Sequence, residues 1–192
     1  MSAQSILSVC SFALFVSMIV TRIIVMKKRG ILVFVVGQTN KSDYLLVLII
    51  LTLGYSAAAG AFGLPIPDII IRPFWESTIP GWVGLFLCIT ANIGFAITLT
   101  SFGDSLRVGI DVKSPGKLVT DGMFKFSRNP IYACFLLFFT GLFLVHRNIV
   151  ITISVCLFAM AIHRQIIREE KFLLDRYGDE YAAYCKKVRR YL

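Results

Sequence analysis

Two stretches of the sequence hold residues with chemical capacity. The first runs from Leu118 to Tyr132 and is polar and turn-rich before it passes into an apolar helix. Asp121 and Gly122 signal a turn, because glycine takes positive φ without steric cost. Asn129 followed by Pro130 signals a helix start: a side-chain oxygen at the N-cap, then a proline where a missing N–H costs nothing. A helix starting there aims the positive end of its dipole at whatever binds before it. The second stretch runs from His163 to Gly178. At about 100° per residue, Arg164, Arg168, Lys171 and Asp175 share one face, and Ile162, Ile166 and Leu173 define the opposite one. Glu169 falls within that apolar stripe, with Gln165 and Arg176 close by on the same side and Glu170 nearer its other edge. A carboxylate there is expensive unless it is paired or solvated in a cavity. Two roles stay open for it: a structural Glu169–Arg176 pair, or an acid lining a polar chamber that opens toward residues 118–132.

The other titratable groups form no such constellation. Cys10, Cys88, Cys134, Cys156 and Cys185 are scattered without a CxxC pair, and four of them lie in apolar runs, as packing residues do. The two histidines stand apart from any cysteine cluster, so no zinc signature and no metal site is expected. GxGxxG and Walker patterns are absent. Arg107 and Asp111, four residues apart, read as a local pair, and His146 as an ordinary turn residue.

The elements that must position the two stretches are membrane spans. With 57% hydrophobic residues over 192 positions and a mean hydropathy of +0.77, the chain reads as an all-α polytopic membrane protein. Residues 1–192 form one integral membrane domain: three N-terminal spans within 1–102, then a binding loop, helical hairpin and tail over 103–192. Five spans are expected, over 5–25, 44–62, 81–102, 130–145 and 149–163, the last two being short for a full crossing. The first reads as a retained span rather than a removed signal peptide, and residues 30–37 as an interfacial piece. Gly54, Ala57, Ala58, Ala59 and Gly60 predict close helix approach, and Trp75 and Trp82 an interfacial belt. The net charge of +9 does not point to nucleic acid, because Lys and Arg gather beside apolar spans, where lipid headgroups suffice as partners. Eighteen of these cations fall on one side of a five-span topology and two on the other. This predicts an N-terminus outside and a cytoplasmic C-terminus, with the loop and the amphipathic tail facing the same compartment. Tyr181 and Tyr184 read as an interfacial face, and Lys186, Lys187, Arg189 and Arg190 as a basic end resting on anionic lipid.

The two stretches, in this order and on one membrane side, resemble the isoprenylcysteine carboxyl methyltransferases and the related phospholipid N-methyltransferases. The likeness covers about the last 90 residues, from Gly103 onward, and rests on Arg128-Asn129-Pro130-Ile131-Tyr132 followed by Arg168-Glu169-Glu170 and Tyr177 to Tyr184. It implies S-adenosyl-L-methionine as cofactor and a lipid-like small molecule as substrate, with the cofactor arriving from the cytosol and the acceptor from the bilayer. By position, Lys117, Leu118, Val119 and Thr120 would contact the cofactor through backbone. Phe124, Asn129, Pro130, Ile131 and Tyr132 would line the rest, and Glu169 would stand at the cofactor and reaction centre. Gln165 occupies the position where the prenylcysteine enzymes hold a substrate-binding arginine. Asn129 replaces a histidine, and Phe124 a tyrosine. The asparagine variant is similar to bacterial members, which implies the inner membrane of a bacterium. Two rivals stay open: an NADPH-dependent sterol or enone reductase, which shares a similar Arg–Asn–Pro turn, and a non-enzymatic assembly factor.

Overall fold

In hydrocarbon a chain must satisfy its own backbone, and helices do so within each segment. The computed structural model describes residues 2–29, 43–102 and 118–191, and the described residues hold helices and no strands. In order these are α1 (Ala3–Lys28), α2 (Asp43–Phe62), the one-turn α3 (Asp68–Ile71), α4 (Ile79–Phe102), a 3₁₀ turn (Gly122–Lys125), α5 (Pro130–His146), α6 (Ile149–Tyr177) and α7 (Asp179–Lys187). Four of them, α1, α2, α4 and α6, are long and apolar enough to cross a membrane, while α5 is apolar but only 17 residues long. At 1.5 Å per residue α5 reaches about 25 Å, short of a hydrocarbon core of about 30 Å. Residues 30–37 and the Arg107–Asp111 spacing lie outside the described residues.

The hairpin forms as the sequence predicts. Arg147 turns the chain in the left-handed region, at φ 41°, and the Asn148 side chain accepts from Ile151 N at 3.0 Å to cap α6. Beyond it, the expected span over 149–163 and the helical tail after it are continuous: α6 runs unbroken for 29 residues to Tyr177, with Gly178 at its end. No glycine or proline interrupts residues 149–177, and nothing else in that run breaks the backbone ladder. Span and amphipathic tail are therefore one helix, with a single buried stripe that runs from Ile151 through Phe158, Ile162 and Ile166 to Glu170, while Ile153, Leu157 and Met160 are exposed.

An aromatic column ties the bundle together. Phe15 of α1 stacks on Phe95 of α4 at 4.5 Å and on Phe138 of α5 at 4.6 Å, and Phe139 meets Phe158 of α6 edge-on at 4.6 Å. Such pairs contribute about 0.5–1.5 kcal/mol each beyond their buried area. α4 and α5 cross at glycines: a Cβ at Gly84 would lie 2.5 Å from the Gly141 carbonyl oxygen. The small residues of α2 work differently. Ala57, Ala59 and Ala61 are buried, but the space over Gly54 is filled by the Phe12 ring. Of the expected aromatic belt, Trp82 is exposed while Trp75 packs edge-on against Phe143 at 5.9 Å.

The two ends of the bundle differ in what closes them. At one, Gln4 donates to the Thr78 carbonyl at 2.9 Å, and Ser8 Oγ lies 2.8 Å from His146 Nε2. His146 is thus a buried tie between α1 and α5, not an ordinary turn residue. At the other end stand the N-terminus of α5, the second half of α6, α7 and the residues after it.

Candidate functional site

Pro130 opens α5 at its first position, as expected, but Asn129 does not cap it with its side chain. The amide nitrogen of Asn129 instead donates twice, to Glu170 Oε1 at 3.2 Å and to the Arg190 carbonyl at 3.1 Å. The expected side-chain N-cap is therefore absent, because the carboxamide is drawn to a buried anion on α6. One turn further along α5, the Tyr132 hydroxyl donates to Glu169 Oε1 at 2.7 Å, and Gln165 Nε2 donates to the same oxygen at 2.8 Å. Residues one turn apart on α5 thus grip consecutive residues of α6. Tyr132, Gln165 and Glu169, three predicted site residues, come together directly, with Asn129 beside them.

The neighbouring acid is the more enclosed of the two. Glu170 is 9% exposed, whereas Glu169 is half-buried. Besides Asn129, Glu170 faces Arg128 Nη2 at 3.5 Å, and its Oε2 receives Arg190 Nε at 3.0 Å and Nη2 at 2.8 Å. Both of its oxygens are engaged by donors. Placing Glu170 toward the edge of the apolar stripe understates its burial, because that edge is covered by α7 and the segment after it. Arg190 is correspondingly paired to Glu170 rather than resting on lipid, while Lys186, Lys187 and Arg189 are exposed.

Three more of the predicted residues, Leu118, Val119 and Phe124, belong to a second, adjoining cluster. Phe124, Tyr181 and Tyr184 are buried together, with Leu118, Val119 and Leu173 packed against them. The Tyr184 hydroxyl donates to the Phe124 carbonyl at 2.7 Å. The two tyrosines are not an interfacial face: they bury α7 against the 3₁₀ turn. Burial pushes the Tyr184 phenol from 10.0 up to about 12. Burial and then the negative charge of Glu170 push Tyr181 upward as well. Gly122, at φ 62°, makes the turn that brings Phe124 inward. Thr120 is half-buried, and Ile131 is half-buried against the aromatic core. Lys117 lies outside the described residues. Among the described residues, no three His, Cys, Asp or Glu side chains gather to hold a metal ion. A shallow depression lined by Asp68, Ile69, Arg72 and Pro73 involves none of the site residues.

Sequence reasoning missed Arg128 and Arg190 as partners of Glu170. A buried acid flanked by distant basic runs is the signal that points to them, but it does not say which cation arrives.

Comparison with known proteins bears on what such a site does. Residues 79–180 match a family model described as phospholipid methyltransferase. This covers α4, the 3₁₀ turn, α5, α6 and the first two residues of α7, and leaves out α1, α2, α3 and the segment that carries Arg190. Two rice proteins, from Oryza sativa subsp. indica and subsp. japonica, are each named "Probable protein-S-isoprenylcysteine O-methyltransferase". Each is 26% identical to this chain over 121 residues, covering 62% of this chain and 62% of the relative. The chain thus spans less than two thirds of the length of these relatives.

Proposed function

Because the chain belongs to the phospholipid methyltransferase family, we propose that it is an integral membrane methyltransferase that uses S-adenosylmethionine and acts on a lipophilic or amphiphilic acceptor. The observation that carries this reading is the Glu169 carboxylate, held by Tyr132 and Gln165 beside the N-terminus of α5. These two donors fix the orientation of the carboxylate at the start of α5. That arrangement suits a cationic group. The start of α5, which the Asn129 side chain leaves uncapped, suits an anionic one. A cofactor carrying both a sulfonium and a carboxylate fits these features.

When bound, S-adenosylmethionine supplies an electrophilic methyl carbon. The chain's own contribution is placement: Tyr132 and Gln165 fix the Glu169 rotamer, Glu169 would hold the cationic end, and the backbone of the half-buried Leu118, Val119 and Thr120 would contact the cofactor. Lys117, Phe124, Asn129, Pro130 and Ile131 complete the wall in this reading. In-line placement at about 3–3.5 Å and exclusion of water supply the acceleration, since methyl transfer needs little covalent help. α5 counts as a fifth, shortened crossing, with the N-terminus outside and the site at the cytoplasmic face. A charged cofactor then enters from water while the greasy acceptor enters sideways from lipid.

The test is transfer of labelled methyl from S-adenosylmethionine into a total lipid extract, with mass identification of the product. Binding of S-adenosylhomocysteine without NADPH binding is expected. NADPH binding alone would turn the reading to a reductase, and binding of neither to an assembly factor.

A further inference from the structure

Glu170 is a buried acid that the proposed chemistry does not use, and most of its donors come from outside α6. The segment after α7 lies across it as a strap. Along this strap, Arg128 N donates to the Arg189 carbonyl at 3.0 Å. The Arg190 carbonyl accepts from Asn129 Nδ2 at 3.1 Å and from Ser127 Oγ at 3.4 Å. The Arg190 guanidinium closes on Glu170 Oε2, and the Tyr191 hydroxyl meets His163 Nδ1 at 2.7 Å. Arg190 therefore touches both sides of one junction, its backbone fixing the residues that lead into α5 and its side chain fixing α6.

The junction leaves little slack. Ser127 and Asn129 are 1% and 8% exposed. The two hydrogens of one Asn129 nitrogen go to the strap and to Glu170 respectively. A neutral imidazole cannot do this, because its single N–H leaves from one ring atom. Asn129 at this position and Arg190 on the strap thus form one device. Tyr132 lies one turn beyond Asn129, so its reach to Glu169 depends on the junction holding the start of α5 in place.

We propose that Arg190 is a positioning residue for the methyl-transfer site, acting through Glu170 and Asn129 to hold the start of α5 against α6 so that Tyr132 meets Glu169. This inference rests on the functional reading above. It predicts that loss of Arg190 weakens cofactor binding far more than acceptor binding, because Arg190 acts on the α5 junction through Glu170 and Asn129.

The test compares the parent, Arg190→Met and Arg190→Lys in the full chain, each shown to be folded by its thermal transition. S-adenosylhomocysteine affinity is measured by calorimetry, and amide exchange at Arg128 is followed without cofactor. Arg190→Met is expected to lower affinity roughly tenfold or more, to raise KM for S-adenosylmethionine while leaving KM for the acceptor unchanged, and to speed exchange at Arg128. Arg190→Lys keeps the charge but cannot reproduce both guanidinium contacts, so it should recover only part of the affinity. If the methionine variant does not fold, the lysine variant alone decides: a several-fold weaker affinity supports the inference, and parental affinity overturns it. Parental affinity in a folded Arg190→Met, or unchanged exchange at Arg128, also overturns it while the functional reading stands. A parent that binds no S-adenosylhomocysteine overturns the functional reading, and this inference with it.

Discussion

The same helices end twice, in two different chemistries. At the end that holds His146, the closures are between uncharged side chains and backbone: Ser8 with His146, Gln4 with Thr78, Asn148 with the start of α6. At the opposite end the bundle is closed by two adjacent carboxylates of α6 and two guanidiniums, one from the segment before α5 and one from the strap. Neutral hydrogen bonds are evidently enough to close a bundle end. Buried charge is costly and often no more stabilising than an apolar replacement. The paired charges at this end therefore call for a reason other than stability, and the charged cofactor of the proposed function would supply one.

The largest test of this contrast is Glu170→Ala. It leaves Arg128, whose side chain is 14% exposed, beside an uncompensated vacancy, and it frees Asn129 and the strap. Breaking a buried pair in this way costs about 3–5 kcal/mol, read as a lower unfolding midpoint, and cofactor affinity should fall with it. A stability loss under about 1 kcal/mol would mean that this end is solvated, not buried. Glu169→Gln should behave oppositely. The amide oxygen still accepts from Tyr132, so the unfolding midpoint is expected to stay near the parent's while turnover drops roughly a hundredfold or more. Equal turnover in Glu169→Gln would remove Glu169 from the chemistry.

How much of this was legible in the sequence depends on where each partner comes from. The helices were readable where local chemistry decides: Pro130 at the first position of α5 and the long apolar runs. The wheel also found Glu169, because one acid within an apolar stripe is a local anomaly. What it could not weigh was the neighbour. Glu170 is buried only because α7 and the strap fold back over that edge, and nothing near residue 170 encodes their return. Asn129 reads as a cap for the same reason, since its competing acceptors lie 41 and 61 residues away. His146 meets a serine 138 residues earlier. The i, i+3 spacing of Tyr181 and Tyr184 correctly marked a face but not the Phe124 turn that covers it. The continuity of α6 past residue 163 follows from the absence of any glycine or proline between 149 and 177.

A third test titrates one end without touching the other. The Tyr184 phenol is neutral in the folded chain up to about pH 12 against an ordinary 10.0. The folded state therefore favours the protonated form, and the contribution is fully present below pH 10 and lost as pH rises from 10 to 12. One unit corresponds to 1.36 kcal/mol, so the loss over two units is at most about 2.7 kcal/mol. Amide exchange in α7 should accelerate across that window, with Tyr184→Phe showing a weaker rise. α7 amides that stay equally protected to pH 12 would refute the burial that this cluster implies.

The smallest effect belongs to the uncharged end. Ser8 is fully buried and its hydroxyl proton goes to the Ser5 carbonyl at 2.8 Å. His146 Nε2 must then carry the proton that bridges the 2.8 Å to Ser8 Oγ, which leaves Nδ1 as the acceptor, facing Gly60. Ser8→Ala strands that buried N–H and should cost about 1–2 kcal/mol, while Ser8→Ala with His146→Phe removes both polar partners and should recover much of the loss. Neither variant should alter S-adenosylhomocysteine affinity, because the tie lies at the opposite end of α5 from Asn129. If Ser8→Ala weakens cofactor binding as Arg190→Met is expected to, the two ends are one mechanical unit. The division between a neutral closure and a charged site would then be wrong.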